Sequence, residues 1–396
     1  MKREVLKPSY FDKFQCIGSA CEDTCCAGWK VSVDKESFNK YRKITSGPLA
    51  QELKTNISRE RKTPSDMAYG KIKMDQNGAC TLLREDGLCK IHSELGEEYL
   101  CHTCTIYPRH INGVDHRLEK SLGVSCPEAA RLILLNPDGI DFIVEEEETQ
   151  KTQTNQTPEH FWDIRMFAIE LLQSRQATIE ERLIVLGMFL DKLDTLSPKE
   201  KMVQLPALMN RYRQLLLDNT QLAMIKDLPS NLSFQMDLGY KLLNVRVSNG
   251  LSNKRYVECL NDLINGLQMI NGGTMGQSIQ LYQQASSTYY TPFILEHNYI
   301  LENYLVNTLF KQTFPQNTKN LFKQYADLII HFLIIKLHLI GIAATHKELT
   351  VDLAVKCIQS FSKTFEHNSK FFVDVLKELD DKNNLTMAHM TVLLKS

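Results

Sequence analysis

The clearest pattern along the chain lies in its second half. From Phe161 onward, apolar residues recur at three- and four-residue spacing, the signature of helices that bury one face. Seven segments carry it: Arg165 to Arg175, Ile179 to Leu193, Met202 to Leu217, Arg255 to Met269, Glu296 to Phe310, Lys319 to Ala344 and Leu349 to Phe365. No fixed-period repeat runs through them, which argues against a solenoid. The most apolar run, Leu328 to Ala344, is interrupted by His331, Lys336 and His338 and reads as a buried helix rather than a membrane span.

The first 145 residues read differently. Trp29 to Asp34 and Lys71 to Asp75 alternate like half-buried strands. Turns follow at Gln76 to Gly78 and Glu85 to Gly87, each leading to a cysteine-bearing segment. A helix is expected from Ser93 to about Cys104, ending before Pro108. A second is expected after Pro127, from Glu128 to Leu135. Glu145 to Thr157 is polar and aperiodic and reads as a linker. The expected fold is mainly α: a Cys-rich α+β region with short strands over 1–145, a linker at 146–158, and an all-α helical domain over 159–396.

Composition adds two exclusions and one strong pointer. With 396 residues, 43% hydrophobic and 23% charged, the chain has material for a globular core. A formal net charge of −1 gives no bulk basic character, so no nucleic-acid partner is expected. The N-terminus, Met1-Lys2-Arg3-Glu4-Val5, lacks an apolar stretch, so no leader peptide and no membrane partner are expected, and the cytoplasm is the expected location.

The pointer is cysteine. Nine of the eleven fall in the first 126 residues, at 16, 21, 25, 26, 80, 89, 101, 104 and 126. In a reducing compartment such clustering indicates a metal or redox site rather than cystines. Soft thiolates favour zinc or iron–sulfur clusters, and nine thiols exceed the four ligands of one site. Gly18 and Gly28 permit the backbone angles that wrapping a metal needs. Cys259 and Cys357 lie on helical apolar stripes and are assigned to the core. The spacing does not match the CxxxCxxC of radical S-adenosylmethionine enzymes, because Cys21 and Cys25 are followed directly by Cys26. Two duller readings stay open: ordinary buried cysteines, and a purely structural zinc. His102, His110 and His116 lie near enough in sequence to replace a thiolate.

Three stretches carry a family resemblance: CIGSACEDTCCAGW (16–29), CTLLREDGLCKIHSELGEEYLCHTCTIYPR (80–109) and SLGVSCPEAARLIL (121–134). Together with EHNYILENYLVNTLFKQTFP (296–315), they make the chain similar to the flagellin lysine-N-methylases of bacteria. The resemblance implies transfer of a methyl group from S-adenosylmethionine to lysine ε-amines of flagellin, by a protein carrying an iron–sulfur cluster of the [4Fe–4S] type. Carried over by position, it implies ligands among Cys16, Cys21, Cys25, Cys26, Cys80, Cys89, Cys104 and Cys126, with Cys101 left out.

The residues alone say less about the methyl donor. No glycine-rich loop joins a strand to a helix, and Asn271 to Gly276 reads as an interhelical loop. Attack by lysine requires loss of a proton from a group whose ordinary pKa is roughly 10.4, by desolvation or a base. Glu296 and Tyr299 are candidates for that catalytic step, and Arg109 and Tyr304 for binding the cofactor through a bidentate fork and an aromatic face. The competing function is a non-enzymatic zinc- or cluster-binding module whose helical domain binds a protein partner.

Overall fold

The computed structural model describes residues 2–76, 78–148, 155–248, 250–269, 273–366 and 369–395. The chain is mainly α-helical, and its named strands all lie between Lys2 and Glu148. These are β1 (Lys2–Pro8), β2 (Ser32–Val33), β3 (Ile57–Arg59), β4 (Gly70–Ile72), β5 (Arg109–Val114), β6 (Arg117–Leu122) and β7 (Phe142–Glu148). Interspersed with them are α1 (Lys35–Arg42), α2 (Pro48–Asn56), α3 (Lys90–Leu95), α4 (His102–Ile106) and α5 (Pro127–Leu134).

The helices that follow are α6 (Phe161–Leu172), α7 (Ile179–Asp194), α8 (Pro198–Leu217), α9 (Asn219–Lys226), α10 (Leu232–Ser248), α11 (Lys254–Gly266) and α12 (Met275–Ala285). Then come α13 (Thr291–Glu296), α14 (Tyr299–Lys311), α15 (Leu321–His346), α16 (Val351–Phe365), α17 (Ser369–Asp381) and α18 (Met387–Leu394). Local chemistry sets several starts: Thr178 with Glu181 and Ser197 with Glu200 form reciprocal caps on α7 and α8, and Pro127 occupies the first turn of α5.

Two cores form. The smaller gathers Val31, Val33, Phe38, Leu53, Ile72, Leu82, Ile91 and Cys101 around the antiparallel sheet β2-β4-β3. The larger runs through the helices from α6 onward and also takes in Tyr10, Phe14, Leu122, Val124, Ile133 and Ile140. The second sheet, ordered β5-β6-β1-β7, therefore belongs with the helices in packing, as does α5. Its central pair, β1 and β6, is parallel, and its other pairs are antiparallel. A buried ion pair locks sheet to helices: Arg165 on α6 bonds both carboxylate oxygens of Glu119 on β6 at 2.9 Å and also the Phe310 carbonyl.

At the centre lies α15. It is the one helix among the described residues long and apolar enough to cross a membrane, and 94% of its most apolar window is buried inside the protein. Glycines let α11 and α15 approach closely, since a Cβ on Gly341 would stand 2.5 Å from the Leu263 side chain. Its interior charge is paired: Lys336 donates to Glu180 at 2.8 Å and to the Leu394 carbonyl at 3.2 Å.

Three expectations need correction. The polar run starting at Glu145 is not linker throughout: Glu145 to Glu148 form the end of β7, paired along β1. Lysines make that possible, because Lys7 reaches Glu145 at 2.8 Å and Glu147 at 3.4 Å, and Lys120 also pairs with Glu147. Residues 149–154 of the run lie outside the described residues, as do 271 and 272 of the expected loop at Asn271 to Gly276. The helix expected over Ser93 to Cys104 is instead α3, a 3-10 turn and α4, broken at Gly96, whose φ of 98° a helix cannot accommodate. Similarly, Glu296 to Phe310 is divided between α13 and α14 at His297 and Asn298.

Candidate functional site

The cysteine loop is built by short-range hydrogen bonds. Thr24 Oγ1 accepts from the Cys26 amide at 3.2 Å, and the Trp29 indole donates to the Cys25 carbonyl at 2.8 Å. The Cys80 amide then donates to the Cys26 carbonyl at 2.7 Å, bringing a distant segment alongside. Gly18 and Gly28 both take positive φ, as wrapping requires. Cys89, Cys101 and Cys126 each stand at the N-cap of a helix, α3, α4 and α5 respectively. Helix N-termini favour the thiolate.

All eleven cysteines are free thiols. Cys26 is in hydrogen-bonding reach of Cys25 and Cys89. Its proton stabilises their thiolates, lowering Cys25 to about 7 and Cys89 to about 6, while its own pKa rises far above the ordinary value. The Lys363 ammonium adds to the lowering at Cys25. Cys101, set aside on sequence grounds, pairs with Cys104, and Cys80 feels the charge of Cys89, Cys101 and Cys25. A second group comprises Cys16, Cys21 and Cys126. Between the groups sits Tyr107, stacked on Trp29 with ring centroids 5.5 Å apart and bonded to Ser125.

These donors suit a soft metal in their chemistry, being unbridged thiols in contact. Among the described residues, however, no group of three or more cysteine, histidine or carboxylate side chains is arranged around a common metal position. Of the histidines considered, His116 bonds Glu4 at 3.1 Å, and His102 is exposed on α4.

The cysteine loop is tied to the helical region through α16. Lys363 donates to Asp23 and to the Thr24 carbonyl, both at 2.7 Å. Gln359, one turn earlier, donates to Asp23 at 3.0 Å and to the Ser125 carbonyl at 2.7 Å. Arg131 on α5 completes the seam with Glu22 at 2.6 Å.

Ser125 also faces a cavity of about 560 Å³, within the range of roughly 300–1,000 Å³ usual for ligand clefts. Its walls come from β5 (His110), the end of α14 (Lys311), the loop to α15 (Phe314), α15 itself (Asp327, His331), the C-cap of α16 (Glu366) and α17 (Phe372). Exposed Gln316, Asn317, Asn320 and Val373 rim its mouth. Thus the cavity wall at Ser125 directly precedes Cys126 along the chain.

Charge inside the cavity is unevenly distributed. Burial alone would raise the Glu366 carboxyl, but the Lys311 ammonium overrides it and holds Glu366 at about 2. Asp327, in contrast, is raised by burial and by the Glu366 charge, against the opposing pull of His331. His331 is only 2% exposed, stacks on Phe372 at 3.8 Å, and bonds the Asp327 carbonyl through Nδ1 at 2.7 Å.

The residues singled out from sequence are dispersed. Tyr304 is fully buried behind the cavity wall, its hydroxyl 3.3 Å from Glu366. Tyr299 bonds His297 at 3.1 Å, and Glu296 lies exposed at the end of α13. Arg109 stacks on Phe14 at 4.9 Å. Of these four only Tyr304 adjoins the cavity. Asp327, Glu366 and Lys311 went unremarked, and His331 was read as a buried helix residue. The available signal was the four-residue spacing of Asp327 and His331, which sets both on one face of a largely apolar helix.

Comparison with known proteins fits this architecture. The family described as "FliB lysine N-methylase C-terminal domain" matches residues 165–393, more than half of the chain. Lysine-N-methylases of Salmonella typhimurium and Salmonella choleraesuis are each 25% identical over 404 residues, covering 98% of both chains. The flagellar biosynthetic protein FliU of Salmonella muenchen is 36% identical over 137 residues, covering 34% of this chain and 80% of FliU. No solved structure matches. The chain belongs to the FliB lysine N-methylase family and is a methyltransferase acting on lysine.

Proposed function

We propose that the enzyme methylates lysine ε-amines of flagellin from S-adenosylmethionine, and that thiols of its N-terminal region hold an iron–sulfur cluster. The observation that carries the donor and the reaction site is the cavity beside Ser125. The methyl donor is a sulfonium and the acceptor arrives as an ammonium, so both reactants are cations. Asp327 supplies negative charge there, Glu366 being paired with Lys311, and Phe314 and Phe372 offer aromatic faces. A partly dehydrated wall also favours the neutral amine, the only form that attacks. The flagellar role of the FliU relative, a flagellar biosynthetic protein by name, supports a flagellar substrate.

For the cluster, the supporting facts are the unbridged thiols and their contacts. Cys25, Cys26 and Cys89, with Cys80, Cys101 and Cys104 near them, would hold one centre. A cluster bound by them would supply a redox-active centre. Lys363 and Asp23 fix that loop against α16, whose C-cap is Glu366, so the same helix orients both regions. Free thiols fit a reducing compartment, and we take the cytoplasm as its place of action.

The test is incubation of anaerobically purified full-length enzyme with S-adenosylmethionine and unmodified flagellin, followed by peptide mass analysis. Flagellin lysines gaining one methylene each are expected. Unchanged flagellin from metal-loaded enzyme would overturn the donor and substrate assignment, and zinc without iron or sulfide in the purified protein would overturn the cluster.

A further inference from the structure

We infer that Asp327 on α15 takes the proton from the attacking lysine ε-ammonium, with His331 one turn away as its positioning partner. The inference rests on the donor assignment above and names the groups that perform its proton step.

Geometry comes first. Asp327 opens onto the cavity with 22% of its side chain exposed, whereas His331 beside it is 2% exposed. Stacking on Phe372 fixes the imidazole plane, and the bond from Nδ1 to the Asp327 carbonyl fixes which nitrogen carries the proton. Asp327 Oδ2 lies 3.7 Å from the same Nδ1, so the two side chains hold each other in place at the cavity wall. An ε-ammonium entering past Gln316 and Asn320 brings up to three N–H donors.

Two carboxylates share the cavity and their surroundings separate them. Glu366 is neutralised by Lys311 and stays ionised, so it serves as fixed charge. Asp327 has no lysine or arginine within ion-pair distance among the described residues, and burial, with the Glu366 charge, raises its proton affinity against the pull of His331. Pairs of acids pushed apart in this way divide the roles of electrostatic partner and proton acceptor.

The step balances. The ε-ammonium gives a proton to the Asp327 carboxylate, and the freed nitrogen lone pair forms the N–CH₃ bond. The S–CH₃ bond of the sulfonium breaks with its electron pair left on sulfur, giving a neutral thioether and a methylammonium. The proton on Asp327 then passes to water at the cavity mouth. Other ionisable groups lining the cavity are His110 from β5, Lys311 from α14, Lys323 and His331 from α15, and Glu366 at the end of α16.

Rates of methyl transfer from S-adenosylmethionine to flagellin, measured across the acid-to-neutral range, test this. Asp327→Asn should lower kcat by roughly 10²–10⁴-fold with little change in the KM for S-adenosylmethionine. With the base gone, the rate should follow the free ε-amine and climb with pH throughout that range, where the wild type levels off once the carboxylate is ionised. Asp327→Glu keeps a carboxylate and should retain the wild-type profile with a smaller loss of rate, which separates proton transfer from a folding defect. An Asn variant within about threefold of wild type, or one that levels off as the wild type does, overturns the inference, as does a folded Glu variant as inactive as Asn. Metal-loaded wild type that transfers no methyl from S-adenosylmethionine would instead bring down the donor assignment, and this inference with it.

Discussion

Alanine at Glu302 is expected to remove about 3–5 kcal/mol of folding stability, the cost of leaving a buried charge without its partner. The carboxylate is 1% exposed and is shared by Arg182, also 1% exposed, at 2.8 Å and by Arg175 at 2.8 and 2.9 Å. Arg182 bonds the Leu172 and Ala177 carbonyls too, and Arg175 the Pro137 carbonyl. One carboxylate thereby joins α14, the turn between α6 and α7, and the turn after α5. Its removal strands an arginine in the core, and Glu302→Gln should cost nearly as much because the charge is lost in either case. By contrast, Asp237→Ala breaks an exposed pair with Lys241 and should change stability by no more than about 0.5 kcal/mol. Urea unfolding midpoints measured on all three variants check the ranking. A Glu302→Ala midpoint near that of Asp237→Ala would show that the buried network carries little.

The second large effect concerns the thiols. Cys26 stands between Cys25 and Cys89, so Cys26→Ala disrupts three sulfurs at once. Purified anaerobically, this variant should lose most of its iron and acid-labile sulfide, and methyl transfer should fall by more than roughly 100-fold, beyond what loss of an outer partner of a ligand costs. Cys357→Ala is the control, since that thiol is buried among helices in the larger core. It should retain full metal content. Equal metal in both variants would remove Cys26 from the ligand set.

How much of this was legible in advance depended on whether the signal was local. Helices α7, α8, α15 and α16 announce themselves through apolar periodicity, and α7 and α8 through capping residues as well, because helix formation is decided within a few turns. The strand character of Glu145 to Glu148 was hidden, since it depends on Lys7 and Lys120, far away in sequence. The break at Gly96 was hidden for a different reason: glycine tolerates both helix and positive φ, and only packing decides.

The same division holds for the site. The thiol region was visible as an excess of one residue type in one third of the chain. The cavity was not, because Ser125, Lys311, Asp327 with His331, and Glu366 come from four places far apart in the chain. Cys101, left out of the implied ligand set, lies beside Cys104 in the fold, a neighbourhood no sequence position announces.

The central claim, that methyl donor and lysine meet in the cavity beside Ser125, is tested most directly by photo-crosslinking. Full-length enzyme irradiated with S-adenosylmethionine labelled in its methyl group, then digested and mapped, should carry label on peptides from residues 304–331 or 366–376. Excess unlabelled S-adenosylmethionine should suppress that label. Specific label confined to peptides remote from these walls, such as those of α8 or α9, would contradict the account.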